Sequence, residues 1–453
     1  MLLSAILKRH GQECYFIDME FCRNVIKEVG EIHPDIIAYS VTTGMHQYFS
    51  ELNLKLKTHF RFVSLFGGPH CTQFPDFIEE EGIDIICRGE GDYVITELIQ
   101  KLILGEDHSN IKNLWVKIKG QIFRNDIRDL AEQLDDLPFP DRELIMKYEV
   151  YRKSHTRWVR TSRGCPYLCT YCLNAVFNEL HKGKGKVIRR RSALNVIAEL
   201  KQIKDFYRPE KIHFSDDTFN LDEDWVVDFL SLYKKEIDIP FIALLRLNLI
   251  SERLVKSLKE AGCFLVECGI ECGNEYFRNH LLKRNISTGQ TVTAAELFVK
   301  YGIKMLTLNI LGLPDETVAL AMETISLNRK VKAAYASSTV FQPYPMTEIA
   351  AYAEKQGYYD GKSSRIKKDY YFDGSVLKMK DIKQLVRIHY LMNIFIKIPF
   401  LINIHKLLIK LPFDLFYKTL FFTDKSFHFI FILNKLDVAE IFMLYKNKLF
   451  KST

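Results

Sequence analysis

The chain has 453 residues, of which 47% are hydrophobic, and it carries a formal net charge of +7. The length predicts two or three domains, and the hydrophobic content suffices for large cores and excludes wholesale disorder. The charge is modest for this length, so it permits an acidic partner or an anionic lipid but does not require nucleic acid.

Cysteine usage and apolar runs indicate the expected compartment. Ten cysteines in a long chain without a convincing signal peptide favour reduced thiols over a secreted disulfide framework. No uncharged apolar run approaches the roughly 18–20 residues that span a bilayer. We therefore expect a cytoplasmic protein that is soluble or peripherally attached.

The first third of the chain alternates strand-like and helix-like segments. Apolar runs predict strands at 14–18, 35–41, 62–66 and 83–87, and apolar residues at three- and four-residue intervals predict a helix from Asp92 to Leu104. This alternation is typical of a parallel sheet covered by helices on both faces. Ligands of such sheets lie beyond the carboxyl ends of the strands, where polar or glycine-rich loops follow the last three strands.

A linker follows this first alternating region. The run from Asp135 to Asp141 contains Pro138 and Pro140 in an acidic context, which disfavours helix. The predicted organisation is listed in chain order: a first domain over 1–130, a linker over 131–156, a second domain over 157–350 and a mainly helical region over 351–453.

About six strand–helix units follow the linker, and polar residues collect where their strands end. The carboxyl ends of parallel strands are where α/β barrels build active sites. The candidates in chain order are Ser215, Asp216, Asp217, Arg246, Glu271 and Asn309.

The character of the chain changes after about Asp381, where lysines punctuate apolar aromatic stretches. A helical subdomain that packs its apolar face on the barrel accounts for this pattern. The alternative is a basic amphipathic surface that docks on a membrane.

Three cysteines stand close together in residues 163–172, whose sequence is Arg-Gly-Cys-Pro-Tyr-Leu-Cys-Thr-Tyr-Cys. Cys165, Cys169 and Cys172 can wrap one iron–sulfur cube and leave one iron without a protein ligand, whereas ordinary electron-transfer [4Fe–4S] centres use four cysteines. Zinc is one alternative, but it usually takes two ligand pairs separated by a longer insert. Three unrelated structural cysteines are the other alternative.

The cysteine spacing, with Tyr171 directly before the last cysteine, resembles the signature of the radical SAM (S-adenosylmethionine) family. The resemblance implies a partial (β/α)6 TIM-type barrel whose cysteine loop holds a [4Fe–4S] cluster, with the open iron chelating SAM. Reductive cleavage of SAM then gives methionine and a 5′-deoxyadenosyl radical, which the protein orients and shields from water. By the same resemblance, the SAM-binding residues are Tyr171, Ser215, Asp216, Asp217, Arg246, Glu271 and Asn309.

The first domain resembles the cobalamin-binding (B12) domain that precedes many radical SAM barrels. The resemblance rests on two runs, Gly67-Gly68-Pro69-His70 and Arg88-Gly89-Glu90-Gly91-Asp92. It implies a Rossmann-like sheet and a set of cobalamin-binding residues: Ser40, Thr42, Thr43, Gly67, Gly68, Pro69, Gly89, Glu90 and Gly91. Two departures are the lack of an Asp-x-His-x-x-Gly run and of the family's opening strand. Either translation starts elsewhere, or the domain is truncated and binds cobalamin poorly.

Two further groups of ligand-type side chains are expected to play other roles. Cys263, Cys268 and Cys272 lie in or beside a predicted strand, where neighbours point to opposite faces, so we expect buried cysteines rather than a second cluster. His33 and His70 are expected to be loop or surface histidines rather than cobalt ligands.

The first functional hypothesis is a radical SAM enzyme that methylates an unactivated carbon, with cobalamin carrying the methyl group. The alternatives are a radical SAM oxidoreductase or cyclase with a vestigial first domain, and a non-catalytic iron–sulfur protein. Expected partners are a small-molecule or lipid-like substrate and an electron donor such as flavodoxin or ferredoxin, with no nucleic acid. The C-terminal region is the expected site of any peripheral membrane contact.

Overall fold

The structure, a computed structural model, describes residues 1–366 and 374–432. Its N-terminal sheet has five strands that pair in chain order. These strands are β1 Ile36–Ser40, β2 Val63–Gly67, β3 Ile85–Cys87, β4 Leu114–Ile118 and β5 Gln121–Arg124. The accompanying helices are α1 Leu2–Arg9, α2 Val25–Ile32, α3 His46–Lys57, α4 Pro69–Gln73 and α5 Asp92–Leu104.

The first three strands run parallel, as predicted, whereas β4 and β5 form an antiparallel hairpin that the sequence analysis did not predict. Helix α5 has the predicted bounds. Asp92 places a negative charge in its first turn, and Gly105 ends it with a φ of +67°. Apolar clusters lie on both faces of the sheet, one around Ile85 and Leu98 and the other around Phe66.

The predicted first strand, Cys14–Asp18, is wrong because this segment is not part of any sheet. A strand needs a neighbour that satisfies its backbone groups, and among the described residues β1 pairs with β2 and with no other strand. The segment is held by side chains of the linker instead. Tyr148 Oη accepts from the Asp18 backbone N–H at 2.7 Å, and Tyr151 Oη donates to the Asp18 carboxylate at 2.6 Å.

The second sheet forms the core of the barrel, and its six strands are all parallel. They are β6 Thr156–Val159, β9 Lys211–Phe214, β10 Phe241–Leu245, β11 Cys263–Glu271, β12 Lys304–Leu311 and β13 Tyr335–Val340, and a ribbon of β7 Ser162–Arg163 and β8 Arg189–Arg190 lies apart from them. The spatial order is β13-β12-β11-β10-β9-β6. Because β6 and β13 are the two ends and do not pair, the barrel is partial, as expected.

Helices follow the barrel strands in the expected alternation. They are α7 Leu173–Leu180, α8 Ala193–Tyr207, α9 Glu223–Glu236, α10 Glu252–Glu260, α11 Glu275–His280, α12 Thr288–Lys300 and α13 Val318–Lys330. Phe241, Ala243 and Leu245 of β10 pack in a large cluster with these helices, whereas Ile242 belongs to a separate cluster with Leu265. This alternation separates the helix-covered face of the sheet from its inner face.

The linker contains one short α-helix, and the described part of the C-terminal region is mainly helical. Their helices are α6 Glu149–Lys153 in the linker, then α14 Glu348–Lys355, α15 Ile382–Lys397, α16 Phe400–Asn403, α17 His405–Leu408 and α18 Asp414–Phe427. Leu385, Ile388 and Phe395 of α15 pack in a cluster with Ala336 of β13. None of the helices within the described ranges is long and apolar enough to cross a bilayer.

Candidate active site

The cysteine loop leaves the ribbon strand β7 through Gly164 and enters helix α7 through Cys172. Gly164 has a φ of +88°, and a Cβ at this position would lie 2.2 Å from the backbone oxygen of Val187. Only glycine therefore fits between the two strands of the ribbon. Asn178 of α7 closes the loop from the other side, because its Nδ2 donates to the Cys165 backbone oxygen at 2.8 Å.

The three loop thiols are close enough to influence one another. Burial, and to a smaller extent Cys169 and Cys165, raise the pKa of the Cys172 thiol to about 11. In the described ranges no three His, Cys, Asp or Glu side chains converge as ligands of a single metal ion. The cysteines of an iron–sulfur cube bind different irons and need not converge on one point. The tight turn at Gly164 and the three neighbouring thiols thus fit a [4Fe–4S] cluster.

We expect Gly164→Ala to reduce both stability and cluster content, because the added methyl group collides with the Val187 backbone. Gly183 is a matched control: its φ is +75°, but no atom lies within 4 Å of the position that a Cβ would occupy. Gly183→Ala should therefore show the backbone strain alone, at about 1 kcal/mol, and Gly164→Ala should exceed it by about 2 kcal/mol. Urea unfolding and iron per chain measure the two effects. Equal losses in the two variants would contradict the steric explanation.

Asp216 anchors the cysteine loop, and its role as a partner of the SAM ammonium stays a prediction. Its carboxylate accepts from the Thr161 hydroxyl at 2.8 Å, from the Thr161 backbone N–H at 3.1 Å and from the Ser162 hydroxyl. Burial raises the pKa of Asp216, and these donors oppose the shift. The residue thereby ties β9 to the strand that leads into the loop.

A buried arginine that the sequence analysis missed lies beside the loop. Arg284 donates to the Tyr171 hydroxyl at 3.0 Å and to the Gly269 backbone oxygen at 2.6 Å, and its guanidinium lies 3.7 Å from the Glu271 carboxylate. The preceding segment also holds the loop, because the Thr170 hydroxyl donates to the Leu281 backbone oxygen at 2.6 Å. The only sequence signal was the basic pair Lys283-Arg284, which is indistinguishable from a solvated surface charge.

Tyr171 and Glu271, both predicted to bind SAM, meet at this arginine. Burial, followed by the charge of Glu271, raises the pKa of Tyr171 well above its usual value. Burial also raises the pKa of Glu271, and Arg284 opposes that shift. Glu271 has a φ of +63°, which is uncommon for a residue with a side chain and often accompanies function.

Two other predicted residues lie near the same place. The guanidinium of Arg246 stacks 3.3 Å from the centre of the Tyr167 ring and donates to the Arg284 backbone oxygen. The Arg246 Nε is buried and has no hydrogen-bond partner among the described residues, so it is available to an anionic group. Asp217 contributes to the raised pKa of Cys172, which places its carboxylate near the cysteine loop.

Ser215 and Asn309 take up contacts within the protein. The Ser215 hydroxyl lies 3.5 Å from the Val159 backbone oxygen on the neighbouring strand. Asn309 is buried; its Nδ2 donates to the Ser337 backbone oxygen at 3.1 Å, and its Oδ1 accepts from Nδ2 of Asn328 in α13 at 2.8 Å. It pairs with Glu271 across β11 and β12, while its amide contacts the helix layer through Asn328.

The predicted cobalamin residues surround one end of a large cavity in the N-terminal domain. The cavity has a volume of about 2650 Å³, and Ser40, Gly67, Gly68, Gly89 and Gly91 contribute to its lining, whereas Thr42, Thr43, Pro69 and Glu90 do not. A Cβ at Gly68 would lie 2.8 Å from the Val41 backbone oxygen, so only glycine allows this close approach. Glycine-rich loops beside a roomy cavity fit a large planar cofactor such as cobalamin.

Glu90 connects the two domains instead of lining the cavity. Its carboxylate forms a two-point ion pair with Arg189 of β8, at 2.7 and 2.8 Å, and lies 3.0 Å from Arg163 of β7. Arg163 also pairs with Asp92, the first residue of α5, at 3.2 Å through its second nitrogen. Arg163 stands two positions before Cys165, so these pairs join the glycine-rich loop directly to the cysteine loop.

The remaining ligand-type residues are structural. His70 is buried, not on the surface as expected, and stacks on His46 with ring centres 4.1 Å apart. Burial lowers the pKa of His70 to about 3. Cys263 and Cys268 pack in the barrel core, and Cys272 belongs to a different apolar cluster.

Comparisons with known proteins agree with this site. A family model described as the Radical SAM superfamily matches residues 159–327, and one described as a B12 binding domain matches residues 1–99. An uncharacterised methyltransferase of Pyrococcus horikoshii is 31% identical over 336 residues, covering 73% of this chain and 72% of the relative. An anaerobic magnesium-protoporphyrin IX monomethyl ester cyclase of Synechocystis sp. is 30% identical over 183 residues, covering 36% of this chain and 34% of the cyclase.

Among solved structures, the radical SAM methyltransferase TsrM of Kitasatospora setae, bound to tryptophan and a SAM analogue, has a TM-score of 0.67 and 16% identity. The match covers 78% of this chain and 72% of TsrM. This likeness confirms the predicted fold class, an N-terminal α/β domain followed by a radical SAM barrel and a helical region. The chain belongs to the radical SAM enzymes with a B12-binding domain, whose cofactors are a [4Fe–4S] cluster, SAM and cobalamin.

Proposed function

We propose that this enzyme transfers a methyl group to an unactivated carbon of a small-molecule or lipid-like substrate. SAM serves both as the source of the radical and as the donor of the methyl group, and a flavodoxin or ferredoxin supplies the electron. When bound, the cluster supplies the electron that cleaves SAM, and cobalamin supplies the methyl group.

One observation carries the proposal: the direct ionic connection between the loops that serve the two cofactors. Arg163 belongs to the cysteine loop's own strand, and it pairs with Glu90 and Asp92 of the glycine-rich loop. The deoxyadenosyl radical would remove a hydrogen atom from the substrate to give 5′-deoxyadenosine, and the substrate radical would then take the methyl group from cobalamin. One substrate must therefore reach both cofactor sites, so the two loops need a fixed separation.

The residues of the site have separate tasks in this proposal. Cys165, Cys169 and Cys172 hold the cluster, and Arg246 offers its unpartnered Nε to the SAM carboxylate. Asp217 accepts from the SAM ammonium. Arg284 holds Tyr171 and Glu271 in position by contacting both side chains. Burial of these groups excludes water from the radical.

The test is anaerobic reconstitution of the full chain with iron, sulfide and hydroxocobalamin, followed by dithionite and SAM. 5′-Deoxyadenosine reports radical use of SAM, S-adenosylhomocysteine reports methyl donation, and the absorbance after desalting reports retained corrinoid. We expect all three in the parent protein. Cys165→Ala should lose deoxyadenosine completely and keep the corrinoid, whereas Cys22→Ala, outside the loop, should change neither.

Other outcomes would favour the alternatives. Deoxyadenosine without corrinoid or S-adenosylhomocysteine would overturn methyl transfer and favour a radical SAM oxidoreductase or cyclase. A reconstituted cluster that yields neither product would favour a non-catalytic iron–sulfur protein.

A further inference from the structure

Large apolar side chains are concentrated on the surface of the C-terminal region, in residues 398–416, which we call the C-terminal patch. Six of them are between 49% and 80% exposed: Ile398, Phe400, Leu407, Phe413, Leu415 and Phe416. No other stretch of this length in the described ranges exposes more than three. Single exposed apolar residues are ordinary, but a concentration of them marks a surface that binds a partner or a membrane.

The C-terminal patch is held on the protein by its inner side. Ile409 is buried, and Leu401 and Leu408 pack against the apolar cluster around α15. The Tyr417 hydroxyl donates to the Leu408 backbone oxygen at 2.7 Å, and Arg387 of α15 donates to the Ile409 backbone oxygen at 3.0 Å. Folding therefore uses one side of this segment and leaves the other side in water.

The unpaired charge beside the exposed apolar side chains is positive. Lys406 and Lys410 are exposed, and neither side chain forms an ion pair or hydrogen bond with a residue of the described ranges. Asp414 is the only acidic residue in the sequence of the patch, and it pairs with Arg387 at 2.7 Å. The patch therefore presents two uncompensated lysines to solvent, which complements an anionic surface.

An anionic bilayer fits both properties of the patch better than an acidic protein does. Lysine is depleted at protein–protein interfaces. At a membrane surface, in contrast, its long side chain reaches the headgroups while neighbouring phenylalanine and leucine side chains enter the boundary with the acyl chains. Each lysine near such a surface strengthens binding about fivefold.

We propose that the C-terminal patch docks this protein on the surface of a lipid bilayer that contains anionic phospholipid. The exposed phenylalanine, leucine and isoleucine side chains enter the boundary between headgroups and acyl chains, and Lys406 and Lys410 contact the lipid phosphates. Helix α15 packs on β13 of the barrel, so it fixes the docked segment to the catalytic domain.

Helix α18 connects the patch to the cavity of the N-terminal domain. Leu415 and Phe416 lie in the first turn of this helix. Further along it, Phe422, Thr423 and Ser426 line the cavity. Docking therefore brings a wall of the cavity within the length of α18, about 20 Å, of the bilayer. Entry of a lipid-like substrate along this route rests on the proposed function, whereas the docking itself does not.

Vesicle co-sedimentation of the reconstituted full chain tests the docking. The protein should bind vesicles of equal parts phosphatidylcholine and phosphatidylglycerol at least about tenfold more tightly than vesicles of phosphatidylcholine alone. Raising NaCl from about 0.1 M to about 1 M should weaken the binding, because salt screens the attraction. A parent protein that binds neither kind of vesicle, or binds both equally, would overturn the proposal.

Two lysine variants test the charge of the patch. Lys406→Gln combined with Lys410→Gln should remove most of the preference for anionic vesicles. Lys234→Gln combined with Lys256→Gln removes the same net charge from exposed positions on α9 and α10, so it should keep the preference. Equal losses in the two double variants would show that only the net charge of the protein matters and would overturn the role of the patch.

A second pair of variants tests the apolar side chains. Leu415→Ser combined with Phe416→Ser should weaken vesicle binding at least about tenfold. Leu194→Ser combined with Phe206→Ser is the matched control, because it removes the same side-chain types from α8, where they are 73% and 78% exposed. Urea unfolding should be alike in the two double variants. Equal vesicle binding by both would contradict insertion of the patch.

Fluorescence identifies the occupant without loss of binding. Phe416→Trp adds one reporter to the three native tryptophans, and brominated lipid in anionic vesicles should quench it, whereas Phe206→Trp should not be quenched. A dimer of the parent protein that dissociates in Leu415→Ser with Phe416→Ser, together with no quenching, would show a second copy on the patch and overturn the proposal. None of these readouts requires turnover, so failure of methyl transfer would not affect them.

Discussion

Replacing Arg284 with glutamine should reduce deoxyadenosine formation at least tenfold, a loss of about 1.4 kcal/mol or more in transition-state stabilisation. The guanidinium is the only group seen to link Tyr171, Gly269 and Glu271 among the described residues. Its side chain and that of Glu271 are 11% and 10% exposed. Removing one partner of such a buried pair leaves an uncompensated charge and costs about 3–5 kcal/mol.

The same substitution should also lower the reduction potential of the cluster. Arg284 is a positive charge close to Cys169, and nearby charge is one of the factors that set the potential of an iron–sulfur centre. Redox titration monitored by electron paramagnetic resonance measures this effect without turnover. Arg284→Lys keeps the charge but not the planar fork, so it should restore the potential and not the position of Tyr171.

A double variant separates charge from packing. Glu271→Gln combined with Arg284→Gln removes both members of the pair, so the free energy of unfolding should recover relative to Arg284→Gln alone. Urea unfolding of the parent, the two single variants and the double variant gives the coupling. Additive losses, together with an unchanged reduction potential, would show that Arg284 neither compensates Glu271 nor influences the cluster.

The second large effect is expected from Arg163→Gln, which breaks the connection between the two domains. Asp92 is buried and would lose its guanidinium partner, whereas Glu90 would keep Arg189. We expect a loss of about 3 kcal/mol in unfolding free energy and weaker retention of the corrinoid. The N-terminal domain should also unfold before the barrel, giving two urea transitions rather than one.

Arg253→Gln is the matched control for this substitution. Arg253 pairs with Asp224 and Glu223 on the surface, with 55% of its side chain exposed, so its removal should cost less than about 1 kcal/mol. Limited proteolysis across residues 131–156 should be faster in Arg163→Gln and unchanged in the control. Equal stability and equal cleavage in both variants would contradict the role of Arg163 as the interdomain connection.

Local sequence patterns predicted most of the secondary structure of the two sheets. Helix α5 has the predicted bounds, because it is delimited by its own capping residues and by apolar periodicity. The hairpin of β4 and β5 was not predicted, and Cys14–Asp18 was predicted as a strand but is not one. Apolar periodicity identifies a segment that can form a strand, but pairing depends on a neighbour that lies elsewhere in the chain.

The residues of the candidate active site also fall into those that the sequence predicted and those that it did not. The three cysteines were identifiable because their spacing within one loop is itself the chemical signal. The contacts of Asp216 with Thr161 and Ser162 were not predicted, and Arg284 was overlooked. A carboxylate or guanidinium has the same sequence signature whether it faces a ligand or a backbone, so only its surroundings distinguish the two roles.

The sequence by itself indicated an iron–sulfur site and the order of the domains, because ligand spacing and strand–helix alternation are local properties of the chain, and its resemblance to a known family implied the radical SAM chemistry. Tertiary structure alone decided how Arg163 joins Glu90 and Asp92 and how Arg284 supports the cysteine loop. These features depend on contacts between residues that lie far apart in sequence. Such contacts arise from packing and burial, which no local pattern records.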